Sequence, residues 1–265
     1  MSALLCAVSV VLVAAAPPQL SRESRMLFES APARLEARVG EWVTYQMDGA
    51  PQQGFMRLAV VGEEKDARGR DAVWVEMEFG RHSELKAPMA QYLMLVTRDV
   101  GLRSEGVTRL FVSQGYEKLQ ELEQDAVAHF MGTPKPEAPP AALSPPTEQL
   151  PAGPDTSVTR GRPARVMTLA GTVQAEPMEV RYRQLVVKRY WISREVPILR
   201  LAKIEFPPIQ YTMEVRDYGV DARPRMVRPS PNDKKMPLGT EEQLPSRFKF
   251  QPPAETDSES KDNRP

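Results

Sequence analysis

Between residues 72 and 79 the chain alternates: Val73, Val75, Met77 and Phe79 fall on one side of an extended backbone, and Trp74, Glu76 and Glu78 on the other. A period of two marks a strand that buries one face, with Trp74 set beside the carboxylates. Comparable segments recur at 39–47, 55–62 and 106–113, and again at 164–175, 178–187, 188–193, 198–206 and 211–218. The first ends at Asp48-Gly49, a turn dipeptide, and the last sets Tyr211, Met213 and Val215 against Thr212, Glu214 and Arg216. Strands this numerous, separated by turn signals at meander spacing, predict an antiparallel β protein.

Two segments follow a helical period instead. In 87–96, Met89, Tyr92, Leu93 and Val96 stand at i, i+3, i+4 and i+7, and Pro88 suits a first turn. In 116–131, Leu119, Leu122, Ala126, Val127 and Phe130 form one stripe, with Glu117, Glu121 and Glu123 toward the N-terminal end and Gly132 as a stop. The expected fold is mainly β (α+β), a strongly curved antiparallel sheet or half-barrel with these two short helices packed on it.

Proline punctuates this pattern. Of 26 prolines, nine lie in 132–163 and eight in 222–265. Segments so rich in Pro and so poor in aromatics cannot fill a core. The expected organisation is therefore one domain over 37–220, interrupted by a Pro-rich disordered insert at 133–163, preceded by a polar lead-in at 16–36 and followed by a disordered charged tail at 221–265.

The start of the chain points to export. Residues 3–13 (ALLCAVSVVLV) match a signal h-region and fall short of the about 20 apolar residues a membrane span needs. Cleavage is expected after Ala15, giving a periplasmic or envelope protein without a transmembrane span in its mature chain. The single cysteine, Cys6, lies inside this segment, so a disulfide framework and a thiol nucleophile are excluded from the mature protein. Lysine plus arginine equals aspartate plus glutamate, 35 each, which argues against nucleic acid as a partner.

A recognisable arrangement spans both halves: Gly40-Glu41-Trp42-Val43-x-Tyr45, then Ala170-Gly171-Thr172, Tyr190-Trp191-Ile192-Ser193, Val196-Pro197 and Tyr218-Gly219. With these residues the chain, over about 37–220, resembles the lipoprotein-carrier proteins of the bacterial envelope, the LolA/LolB-like superfamily. The resemblance implies a half-open barrel lidded by helices that holds acyl chains. The insert and tail have no counterpart in a minimal carrier, and no functional residue of the carriers is transferred to a position here.

Candidate ligand-binding residues are Trp42, Trp74, Met77, Tyr92, Tyr190 and Trp191, aromatic and Met side chains on predicted strands or on the first helix. They suit an adaptable apolar surface and equally an ordinary core. His82 and His129 stand apart without matching carboxylates, so no metal site is expected, and no cofactor. No Gly-x-Ser-x-Gly elbow surrounds Ser193, and no acidic pair stands out as acid and base, so an enzyme is not expected. Basic residues over 216–235 offer either a solvated surface or a peripheral contact with anionic lipid. The leading function is non-catalytic binding of a lipid, acyl chain or lipoprotein on the concave face of the sheet. The alternative is an interaction component of an envelope assembly that uses the insert and tail, and a hydrolase is a third.

Overall fold

In a computed structural model the chain is described over residues 34–49, 53–114, 118–131, 155–230 and 233–235. The expected signal segment, most of the expected lead-in, residues 133–154 of the expected insert and residues 231–232 and 236–265 of the expected tail lie outside the described residues.

Among the described residues twelve strands form one antiparallel sheet. They are β1 (Trp42–Asp48), β2 (Gly54–Lys65), β3 (Asp71–Gly80), β4 (Ala90–Thr97), β5 (Val107–Gln114), β6 (Gln120–Glu121), β7 (Thr156–Arg160), β8 (Ala164–Thr168), β9 (Gly171–Tyr182), β10 (Leu185–Ile192), β11 (Leu201–Phe206) and β12 (Tyr211–Gly219). One α-helix, α1 (Gln124–Phe130), follows β6. Sheet order is β6-β5-β4-β3-β2-β1-β12-β11-β10-β9-β7, with β8 also paired to β9. Two meanders thus meet at one seam, where β1 pairs with β12 from Trp42 opposite Gly219 to Asp48 opposite Thr212.

The sheet is curved. Ala170, at the tip of the β8–β9 hairpin, donates its N–H to the Val215 carbonyl of β12 at 3.2 Å, although β9 lies three places from β12 in the sheet. Val173 and Ala175 of β9 enter the same apolar cluster as Val43, Tyr45, Met56, Leu58, Val75 and Met77 of β1–β3. That cluster defines the inner face. It is covered by Leu122, Ala126, Val127 and Phe130 on and before α1, and by Val196, Ile198 and Leu199 from the β10–β11 loop. A second cluster, Ala72, Trp74, Leu93, Leu95 and Phe111 with Met226, occupies the outer face of β3–β5.

The second cluster explains the largest departure from expectation. Residues 87–96 do not form a helix; Ala90–Thr97 is strand β4, paired with β3 and β5. Its inner residues Met94 and Val96 join the main core and its outer residues Leu93 and Leu95 join the second cluster. A strand buried on both faces reads as a continuous apolar run, and the helical spacing within it is coincidental. The second expected helix shortens to Gln124–Phe130, because Gln120 and Glu121 pair with Val112 and Phe111 of β5.

Strand boundaries shift in the second half. Residues 164–175 form a hairpin, not one strand: β8 and β9 join at Gly171, whose φ of +110° only glycine adopts readily. The expected strand at 178–187 divides at Arg183, a positive-φ turn residue, into the end of β9 and the start of β10. Thr156–Arg160, assigned to the insert, is strand β7 on β9.

Residues 221–228, assigned to a disordered tail, run as a strap across the outer face. The Ala222 N–H donates to the Gly40 carbonyl at 2.8 Å. The Arg225 and Met226 N–H groups both donate to the Glu76 carboxylate, at 2.9 and 2.8 Å. Met226 fills the outer cluster over Trp74, and burying a side chain of that size stabilises by about 1.5–3 kcal/mol.

Candidate functional site

The strap meets a line of carboxylates that β3 turns outward. Glu76 is 1% exposed, and it lies opposite Ala59 on β2 and Leu93 on β4. Burial pushes its carboxyl above the usual range, against the pull of the two strap N–H groups. Two residues on, Glu78 shares one oxygen between two guanidinium groups, Arg57 at 3.4 Å and Arg225 at 3.2 Å. Glu64 at the end of β2 accepts from the Trp74 indole N–H at 2.8 Å and from Arg228 at 3.2 Å, and Arg228 lies 4.3 Å from the Trp74 ring. Lys235 reaches Glu121 at 3.3 Å. Three basic residues of the 216–235 segment, Arg225, Arg228 and Lys235, remain about half exposed. These pair with sheet carboxylates, because a carboxylate held out of water requires a counter-charge or donors.

Between the strap, the loop at Ser83-Glu84 and the outer face of β1, β2 and β12 lies a cleft of about 700 Å³. Its floor is Trp42, Thr44 and Arg57, and its walls include Arg216, Asp217, Asp221, Arg223 and Arg225. The Trp42 indole N–H donates to Asp221 at 2.8 Å and holds that carboxyl below its usual range. Gly219 makes room for the indole: a Cβ there would sit 2.7 Å from its nitrogen.

The inner face changes character along the sheet. One cross-strand row runs Met47, Met213, Ile204, Tyr190, Met178. Met213 and Ile204 are buried, while Tyr190 and Met178 are half-exposed. Farther along the wing formed by β7, β9 and β10, Val158 stands opposite Val180, and Leu185 opposite Tyr182. Val158 is 58% and Leu185 62% exposed. The face of the core continues onto these strands as apolar side chains interspersed with Arg160 opposite Met178 and Lys188 opposite Val180, and ends at β7, which has no further strand beside it among the described residues.

The six expected ligand-binding residues are divided among these surfaces. Trp74 is fully buried in the outer cluster, against Phe111 at 5.8 Å. Met77 is fully buried in the inner core, opposite Leu58 and Tyr92. Tyr92 lies between Phe79 and Phe130, and burial pushes its phenol up to about 12. Tyr190 belongs to the uncovered row, with Lys188 Nζ 4.9 Å from its ring. Trp191, opposite Pro177 and Lys203, carries the Lys203 ammonium 5.7 Å from its ring. Trp42 alone of the six lines the cleft. Sequence reasoning missed Arg57 and Asp221, while Arg225 lay within the basic segment 216–235. Glu76 and Glu78 inside a β-rich run were the available signal, since such carboxylates require partners and the basic segment after residue 221 supplies them.

Among the described residues no three His, Cys, Asp or Glu side chains come together to hold a metal, and no helix is long and apolar enough to cross a membrane. No family model matches the chain, and no curated protein matches it. Solved structures with weak similarity include an exported protein with a YmcC-like fold from Bacteroides fragilis: 12% identity, 70% of this chain and 98% of that one, TM-score 0.32. MucB is 11% identical, with 78% of this chain and 62% of that chain covered and a TM-score of 0.37, so this chain spans less than two thirds of MucB. An outer membrane lipoprotein-sorting protein domain from Vibrio parahaemolyticus is 10% identical, with 74% and 91% covered and a TM-score of 0.27. Similarity at this level assigns no ligand and no partner.

Proposed function

We propose that this chain is a non-catalytic binding protein of the cell envelope that takes an apolar ligand, a lipid or acyl chain, on the uncovered inner face of β7, β9 and β10. The observation that carries the reading is the row Met213, Ile204, Tyr190, Met178, which leaves a filled core and continues as half-exposed side chains beside Val158 and Leu185. An apolar trough next to a rigid core binds by removing its own surface from water, with little reorganisation. The envelope setting rests on the apolar run at residues 3–13.

The test is titration of the purified protein with a fluorophore-labelled palmitate analogue, for wild type, Val158→Asp and Leu185→Asp. Both side chains are exposed, so the unfolding midpoint is expected to stay within about 0.5 kcal/mol of wild type. Affinity is expected to fall about tenfold or more in each variant, since a carboxylate in the trough must be desolvated on binding. Unchanged affinity in both, or no saturable binding by wild type, would sink the reading. The open edge of β7 favours a second one, strand addition by an extended segment of another envelope protein. In that case wild type binds no palmitate, and a partner co-purifies with it from the envelope in fixed stoichiometry.

A further inference from the structure

Arg57 stands out in the outer cleft because it is a nearly buried guanidinium with too few acceptors. The residue is 7% exposed, yet its one hydrogen bond among the described residues is a long 3.4 Å contact to Glu78. A guanidinium offers five N–H donors, and those that Glu78 does not take are left to the cleft that Arg57 lines. The Trp42 ring lies 5.6 Å from it and supplies a π face, not a lone pair. Glu78 cannot satisfy it alone, because the same oxygen also takes Arg225. Glu76, the next carboxylate along, is occupied by the Arg225 and Met226 N–H groups of the strap. Burial first, and then the neighbouring Arg225, draw the Arg57 pKa down against the opposite pull of Glu78 and Glu76.

The walls add two more guanidinium groups. Arg216 donates to Gln46 at 2.9 Å and lies 5.5 Å from the Phe55 ring. Arg223 is exposed at the rim. Of the three lining acids, Asp221 accepts the Trp42 N–H, Asp217 accepts the Tyr218 N–H at 2.9 Å, and Glu84 is drawn to Lys86 at 2.5 Å. Four guanidinium groups thus converge on a cleft whose acids already have donors.

We infer that this cleft is a binding site for a phosphate group, with Arg57 gripping its oxygens from the floor, Arg225 from the wall and Arg223 closing on it from the rim. Paired guanidinium forks match phosphate oxygens bidentately, and the desolvated floor strengthens each bond. The phosphate could belong to a soluble monoester or to a lipid headgroup, and both present the same oxygens. The site is independent of the apolar trough, which lies on the other face of the sheet.

Calorimetric titration with glycerol phosphate, together with sedimentation with vesicles of phosphatidylglycerol in phosphatidylcholine, tests the inference on wild type, Arg57→Gln, Arg223→Gln and Leu185→Asp. Glycerol phosphate is expected to bind wild type and to weaken about tenfold in R57Q and several-fold in R223Q, with L185D unchanged. Vesicle binding alone, lost in the same two variants, supports the site with a lipid headgroup as its source. Arg223 is exposed, so R223Q keeps the wild-type fold and decides the matter if R57Q unfolds. Absence of binding to either probe up to about 10 mM phosphate, or binding that neither arginine variant weakens, would overturn the inference.

Discussion

Glu76 is a carboxylate in the middle of a strand that water barely reaches. Its job is structural: it accepts two backbone N–H groups and so fastens residues 225 and 226 to the outer face. Glu76→Ala removes both acceptors and is expected to cost about 2–4 kcal/mol, as loss of a buried charged acceptor does. Glu76→Gln keeps one carbonyl oxygen for both donors and is expected to be near neutral. The two variants also separate by pH. The folded carboxyl titrates above its unfolded value, so the folded state binds the proton more tightly. Wild type therefore loses stability as pH rises from about 4.3 through the raised folded value, and levels off above it. E76Q lacks that fall. Urea midpoints across this window are expected to show the gap between E76Q and wild type widening with pH, and a constant gap contradicts the assignment.

At the scale of elements, the outer face of β3–β5 makes sense only with the strap in place. Trp74, Leu93, Leu95 and Phe111 would otherwise expose a contiguous apolar patch, and Met226 covers it. Met226→Asp is expected to cost about 2–4 kcal/mol, because it places a carboxylate over Trp74 beside Glu64 and Glu76. Hydrogen exchange is the sharper readout: protection is expected to drop at residues 222–228 and to persist on the inner strands β1 and β2. If the strap stays protected, its docking rests on Arg225 and Arg228 and not on the apolar plug.

At the scale of the whole molecule, the seam between β1 and β12 decides the architecture. Every other neighbouring pair of main-path strands is close in sequence, apart from the junction of β7 with β9; the seam joins Trp42 to Gly219. Residues 34–131, expressed alone, would present the β1 edge and one side of the core cluster to solvent. Such edges recruit other chains. This half is expected to associate or aggregate on size-exclusion chromatography, and a monomer with a cooperative unfolding transition would show that the seam is dispensable.

Period two was legible along β3 and β12 because each has one face of uniform polarity, and that was enough to determine a mainly β chain with a turn at Asp48-Gly49, while the turn at Gly171 passed unread inside an apparent single strand. It failed at β4, where burial on both faces erased the alternation and left Met89, Tyr92, Leu93 and Val96 in a helical register. The stripe of Leu122, Ala126, Val127 and Phe130 was readable in sequence, while Leu119 was not, since it packs on the outer cluster. Of the candidate residues, the aromatic ones could be picked out but not sorted, because an exposed Tyr190 and a buried Trp74 look alike until the sheet curls and the strap docks. The cleft was invisible for the same reason. Arg57, Asp221 and Arg225 are ordinary surface residues in sequence, and only the tertiary structure brings residues about 150 positions apart around one cleft. The sequence by itself determined the local backbone; long-range pairing decided which side chains lose their water, and with it where the molecule can bind.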